Sequence, residues 1–442
     1  MKQRENNILG LCWPIFIELL LQMLVGNADQ IMVGWHDAGG VGAIGNANQV
    51  TALVLLVFSV ICTASTILIS QYIGAGDTAR LNRTYTVALV TNIGFGVLVS
   101  VIIIAFCPGV FRLMGVHEDI FEETCQYMRI IGAGMVFQSV YLTFVAFFRS
   151  SQMMKETMTI SVLMNCLNIG GNAILINGLG PVPALGAAGA AVSSDLSRLV
   201  GVAVIALLFR KRFGRVIRLR ELRPFPWEQF RRLLAIGLPT GGESLSYNMS
   251  QICIQTVCNQ FEQFVVNTRV YANMFANVTY LFGAALSQAA QVVAARLMGA
   301  GDISGTRKSV RRALMGSMAV SLTVSTLLFL LARPVYSIFT KDPDILALAP
   351  VIMLIEIPLE AGRAVNMVMC RVLQACGDIK YPIVICIIFA WAMGVGCGWL
   401  FAVRLGYGLP GLWAAMACDE CIRAVLFLLR WRSGAWEKKH LL

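Results

Sequence analysis

Two stretches decide the architecture: QYIGAGD at Gln71–Asp77 and ARLMGAGD at Ala295–Asp302. Their common GAGD recurs at an interval of 225 positions (299 − 74), and the same interval relates other landmarks. Pro14 and Glu18 return as Pro239 and Glu243, and Lys155 returns as Lys380. Late in each half the interval shortens to 222 (408 − 186): Gly186 and Gly189 answer Gly408 and Gly411. One three-residue deletion accounts for the change, so the chain is a tandem duplication. In each GAGD the glycines permit a tight turn, and the aspartate is placed to cap the helix that follows.

The duplicated unit belongs in a membrane. Of 442 residues, 57% are hydrophobic and only 13% are charged, about half the charged share of a soluble domain. Apolar runs of the roughly 20 residues that span a bilayer read at about 11–35, 48–72, 84–107, 124–147, 157–177 and 186–209. A second set follows at about 233–259, 268–294, 312–335, 345–374, 382–404 and 409–430. The expected fold is all-α integral membrane, with twelve transmembrane helices in two six-helix lobes around a central cavity. Residues 1–209 form the N-lobe, 210–232 a basic linker and 233–442 the C-lobe. Six spans return the chain to its starting side, so the two repeats run parallel. Duplicated apolar chains of this kind are a signature of secondary transporters, whose substrate sites lie between the repeats.

The net charge of +11 is distributed by side. Most Lys and Arg fall in the N-terminus (Lys2, Arg4), Arg210–Arg232, Arg296–Arg312, the other even-to-odd loops and the C-terminus. The opposite side is assigned Arg112, Arg269, Arg333, Lys341 and Arg404. This positive-inside bias puts both termini in the cytoplasm, and argues against nucleic acid as a partner. The linker's basic residues need only solvation and anionic lipid headgroups. The first apolar run is too long for a cleavable signal and lacks a small-residue cleavage site.

Several chemistries lack their motifs. There is no G-x-x-x-x-G-K-[ST] and no H-E-x-x-H, and only His36, His117 and His440 occur. The G-x-G-x-x-G at Gly40–Gly45 joins two membrane helices rather than a strand and a helix, which removes its dinucleotide meaning. The 13 cysteines read as small core residues, and Cys418 and Cys421 have no second Cys/His pair to complete a zinc site. No enzyme activity, metal or cofactor is expected.

Helical phase gathers the intramembrane polar residues into stripes. Glu18, Gln22 and Asp29 lie within about 40° of one another on helix 1. Asn165, Asn168 and Asn172 share a face of helix 5, and Glu243, Tyr247 and Ser250 a face of helix 7, flanked by Asn248 and Gln251. Helix 10 carries Glu356, Glu360 and Arg363, with Asn366 nearby. Ionisable groups at mid-bilayer cost roughly 2.5–3.5 kcal/mol and normally face the bundle interior. The stripes therefore describe a polar cavity, with Glu18 and Glu243 facing each other. Each also has a structural reading. The asparagines can serve as interhelical glue; Glu356, Glu360 and Arg363 can pair internally. Asp195 with Arg198, and Asp419 or Glu420 with Arg423, read as fastening pairs.

Asp29 differs: no basic residue lies within a turn of it, and its repeat equivalent is Ile254. Such an acid is expensive unless it binds a proton or cation. Pro14, Pro239 and Pro358 sit inside spans and free carbonyls one turn back, so they either bend the helix or begin it. A carboxylate facing an alternating cavity can exchange H⁺ or Na⁺ for a cationic solute. Moving one charge through 100 mV is worth about 2.3 kcal/mol. One-for-one exchange of single charges cancels that term and leaves the ion's concentration gradient as the drive.

Several strings together resemble one family. NADQIMVG (Asn27–Gly34), QYIGAGD, FFRSSQMMKETM (Phe147–Met158) and NCLNIGGNAILINGLG (Asn165–Gly180) look like the N-lobe of multidrug and toxic compound extrusion (MATE) transporters. IGLPTGGES (Ile236–Ser244), ARLMGAGD, VLQACGDIKYP (Val372–Pro382) and GLPGLWAAMACDE (Gly408–Glu420) look like the C-lobe. The resemblance covers almost the whole chain. It implies a monomeric antiporter of a prokaryotic plasma membrane that expels organic, often cationic, small molecules against Na⁺ or H⁺. The family's helix 1 acid matches Asp29, and its bend-forming proline matches Pro14. The chain departs elsewhere: the helix 5 acid of many members is Asn172, the helix 10 acid falls on Arg363, and the helix 7 acid is displaced to Glu243. The resemblance implies ion coupling at Asp29 with Asn165, Asn168 and Asn172. The polar stripes place the substrate among Glu18, Gln22, Glu243, Tyr247, Asn248, Glu356, Glu360, Arg363 and Asn366. Two alternative readings are a flippase of lipid-linked saccharides from the wider superfamily and a non-transporting membrane scaffold.

Overall fold

Hydrocarbon offers no partner to a backbone N–H or C=O, so apolar runs fold as helices that satisfy their own hydrogen bonds. A computed structural model of the chain describes residues 8–35, 38–178 and 183–439; Lys2, Arg4, His36, Gly180 and His440 lie outside them. The first half contains α1 (Ile8–Gly34), α2 (Ala38–Ala75), α3 (Thr78–Leu113), α4 (Glu118–Ser150), α5 (Met154–Leu175) and α6 (Gly186–Phe213). The second contains α7 (Trp227–Cys258), α8 (Gln263–Gly299), α9 (Ile303–Leu330), α10 (Pro343–Ala375), α11 (Lys380–Phe389) and α12 (Gly408–Arg432). A short helix, Ala332–Ser337, follows α9, and α11 continues as π-helix over Ala390–Cys397 and Leu400–Arg404. No strand occurs among the described residues.

Ten of these segments are long and apolar enough to cross a membrane. The other two, α7 and α12, are long enough but carry polar stripes: Glu243, Ser244, Tyr247 and Asn248 on one, Asp419, Glu420 and Arg423 on the other. Most helices outrun their apolar windows. α2 spans 38 residues where the apolar run covers 48–72, and α3 starts at Thr78 rather than 84. Hydropathy marks only the part suited to hydrocarbon, whereas the hydrogen-bond ladder continues until a cap or turn stops it.

The duplicated GAGD turns show how such a stop is built. Gly76 has φ +73° and Gly301 has φ +72°, a left-handed conformation that suits glycine. The following amide closes the last turn in each copy: Asp77 N–H donates to the Tyr72 carbonyl at 3.1 Å, Asp302 N–H to that of Leu297 at 2.9 Å. Each aspartate then caps the next helix, accepting from Arg80 N at 2.9 Å and Gly305 N at 2.7 Å. The capping expected from the sequence is present in both halves.

The chain divides into two compact units, Ile17–Gly241 and Gly242–Leu442, the latter joined by Met1–Phe16. Each division falls two residues past a landmark proline, Pro14 in α1 and Pro239 in α7, and both helices run through their proline. Pro358 likewise lies inside α10. In the first unit Phe58, Phe111, Met128, Ile131 and Met135 of α2–α4 form the core. The start of α7 packs here, with Gly237 meeting the Val60 backbone so closely that a Cβ would have no room. In the second unit the core gathers Tyr336, Ile352, Leu359, Leu412 and Trp413. Trp13 and Phe16 of α1 join this unit through edge-on contacts with Phe282 at 6.3 and 5.9 Å.

Candidate functional site

Each unit encloses its own polar cluster. In the first, α1 brings Asp29 to Asn172 of α5, whose Nδ2 donates to Asp29 Oδ1 at 2.5 Å. Asp29 is only 9% exposed, and among the described residues it forms no ion pair. Arg198 and Tyr127 lie within its electrostatic reach. Arg198 is committed to Asp195, 3.1 Å away, so the expected fastening pair is formed. Asp195 occupies the space that a side chain at Gly134 would fill. One turn along α5, Asn168 Nδ2 donates to Ser194 Oγ at 3.0 Å, and Ser193 Oγ donates to the Asn168 carbonyl at 2.8 Å. The Oδ1 atoms of Asn168 and Asn172, and Nδ2 of Asn165, are buried without a hydrogen-bond partner. Buried acceptors without donors are rare and call for a ligand, water or ion.

The helix 1 stripe does not behave as one face. Glu18 is 1% exposed and paired with Arg149 at 3.0 Å, with Thr157 Oγ1 donating to it at 3.3 Å. It is therefore fastened within its own unit. A buried carboxylate keeps its charge most cheaply against a guanidinium, and Arg149 on α4 is within reach only in the tertiary fold. Gln22, by contrast, is exposed.

The second unit's cluster is denser. Arg363 pairs with Glu360, and lies 3.7 Å from Glu356 and 3.9 Å from Glu420. Arg423 grips Asp419 with two bonds of 2.8 and 2.6 Å and reaches Glu420 at 3.0 Å. Trp413 Nε1 donates to Glu356 Oε2 at 2.6 Å, and Asn366 Nδ2 donates to Glu420 Oε2 at 2.5 Å. The helices come this close because Gly362 has no side chain: a Cβ there would stand 2.7 Å from the Glu420 backbone. A cavity of about 40 Å³ opens beside the cluster. It is lined by Tyr247, Ser250 and Gln251 of α7, Arg269 and Asn273 of α8, and Ala390 and Gly394 of the π-helical stretch. That volume admits a few waters or an ion rather than a drug-sized molecule. Four carboxylates (Glu356, Glu360, Asp419, Glu420) meet two guanidiniums (Arg363, Arg423), leaving a formal charge of −2 (2 − 4).

Three residues singled out in the sequence have these surroundings. Arg269 is 4% exposed inside α8 with its guanidinium 5.8 Å over Trp413. Asn248 is exposed and bonds to the Ser244 carbonyl of its own helix at 2.8 Å. Glu243 is half-buried beside Cys370 and Cys386. Sequence reasoning missed Tyr127, Trp413 and Arg149 as polar partners, because aromatic and cationic residues in apolar helices carry no spacing signal of their own.

A family model described as MatE matches the chain twice, over residues 14–174 and 239–400. The uncharacterized transporter YisQ of Bacillus subtilis is 31% identical over 433 residues, covering 98% of this chain and 95% of that one. A probable multidrug resistance protein NorM of Thermotoga maritima is 26% identical over 448 residues, covering 99% and 94%. Among solved structures, the bent form of the Vibrio cholerae transporter VcmN superposes with a TM-score of 0.89 at 19% identity, covering 96% and 95%. A MOP superfamily transporter of Pyrococcus furiosus gives 0.87 at 22% identity, covering 98% and 96%.

Proposed function

This chain belongs to the MatE family of multidrug and toxic compound extrusion transporters, and from that membership we propose a secondary antiporter in which Asp29 carries the coupling ion. It is a multi-pass membrane transporter of small molecules, not an enzyme. The proposed cargo is a small organic cation, exchanged for Na⁺ or H⁺ with no further cofactor. The proposed setting is the plasma membrane, with cytoplasmic termini and a monomeric chain.

One observation carries this reading. Asp29 is buried in a membrane helix, yet its side chain accepts from a neutral amide, that of Asn172. An acid so placed is stabilised by a proton or cation that comes and goes. The unpartnered Oδ1 atoms of Asn168 and Asn172 supply further oxygen donors suited to H⁺ or a hard cation. The excess negative charge around Arg363 favours cationic over anionic cargo. Pro14 and Pro239 stand where the units divide, and are the proposed hinges, with Pro358 a third inside α10.

The test is dye efflux from everted vesicles under separate Na⁺ and H⁺ gradients. Asp29→Ala is expected to abolish ion-driven efflux while the protein remains monodisperse. Efflux at the wild-type rate in that variant would refute the assignment.

A further inference from the structure

We propose that Glu243, Cys370 and Cys386 form a binding site for a thiophilic divalent cation of the Zn²⁺ class, separate from the coupling ion at Asp29. Three helices supply one donor each, α7, α10 and α11. The carboxylate oxygen and the two Sγ atoms all lie within 4.8 Å of one another. Among the described residues no other three such donors converge. Cys370 and Cys386 are 9% and 7% exposed. Tetrahedral zinc with Zn–S near 2.3 Å sets its sulfurs about 3.8 Å apart, so a contraction of about an ångström or less closes the site.

The surroundings fit a thiolate metal centre. Gln374 Nε2 donates to Cys370 Sγ at 3.4 Å, and Arg423 Nη1 donates to Cys386 Sγ at 3.8 Å. Outer donors of this kind orient ligands and stabilise their ionised form. Gln374 is fully buried, and its Oε1 has no hydrogen-bond partner. Two thiolates and a carboxylate total −3. A divalent cation leaves −1, beside the guanidiniums of Arg371 and Arg423, both within electrostatic reach of Glu243. Thiolate donors favour Zn²⁺ or Cd²⁺ over Na⁺, Mg²⁺ or Ca²⁺. Three protein ligands leave a fourth position open for water.

The experiment uses the reduced full chain in detergent, loaded with Cd²⁺, desalted and assayed for metal per chain and for the thiolate-to-metal ultraviolet band. One Cd²⁺ per chain is expected. Cys370→Ser with Cys386→Ser should lower bound metal at least about tenfold, and Glu243→Gln should weaken the dissociation constant by a similar factor. Cys166→Ser with Cys418→Ser, both exposed, should retain full binding. Should the double variant fail to elute as one species, Cys386→Ala alone gives the same reading. The proposal falls if wild type holds no more metal than the Cys370/Cys386 and Glu243 variants, or if metal persists without both sulfurs. A disulfide joining Cys370 to Cys386 that survives reduction would overturn it equally.

Discussion

Replacing Arg423 by methionine tests whether charge pairing or packing holds the second unit together. Arg423 is 4% exposed, and its partners Asp419 and Glu420 are 5% and 6% exposed. The substitution removes the two bonds to Asp419, at 2.8 and 2.6 Å, and the 3.0 Å contact with Glu420. Methionine fills much of the same volume, so the main loss is electrostatic. Removing one partner of a buried ion pair costs about 3–5 kcal/mol, because the remaining charge has no compensation. For a unit of this size each kcal/mol lowers Tm by about 2–4 °C, so the expected drop is about 6–20 °C. Thermal unfolding of the purified protein in detergent, followed by tryptophan fluorescence, measures it. Adding Asp419→Asn and Glu420→Gln removes the two carboxylates that Arg423 held, of which Glu420 keeps Arg363 at 3.9 Å, and should recover more than half of the loss. The half-exposed pair Arg307–Glu437 is the control: Arg307→Gln should cost under about 1 kcal/mol. A Tm within about 2 °C of wild type for Arg423→Met would refute the reasoning. A triple variant as unstable as the single would assign the loss to packing.

Close packing at glycine makes a second test. Gly362→Ala meets backbone atoms of Glu420 and Cys421 at 2.7 and 2.8 Å, whereas Gly94→Ala meets nothing within 4 Å. The first should destabilise by about 1–3 kcal/mol, and the second, inside helix α3, should be neutral or mildly stabilising; denaturant or thermal melts compare them. The duplicated caps make a third. Asp77→Ala and Asp302→Ala should each cost about 0.5–2 kcal/mol, with faster amide exchange confined to the first turns of α3 and α9. Equal exchange in variant and wild type would show that neither cap matters.

Much of the fold was legible because a membrane simplifies the physics. With water excluded, helix is the form an apolar run takes, and a run's length reveals a span. Pro14 with Pro239 and the two GAGD strings revealed the duplication, and both aspartates cap as their position implied. Hydropathy marks the ends of α2 and α3 short, since it is silent about turns beyond the hydrocarbon. Local ion pairs three or four residues apart, such as Asp195 with Arg198, were legible from helical spacing alone.

The partners that cross between helices were not legible. Glu18 and Asp29 stand on one helix within about 20° of phase, yet one is held by Arg149 and the other by the amide of Asn172. Nothing in the spacing of α1 distinguishes them. Likewise Cys370 and Cys386 read as core filler until α7 sets Glu243 beside them. The sequence by itself determined the membrane, the helices, the duplication and the family, because these depend on composition and short-range periodicity. The tertiary structure alone decided which buried charges are neutralised by neighbours, because that depends on distances between residues as far apart as 18 and 149 along the chain.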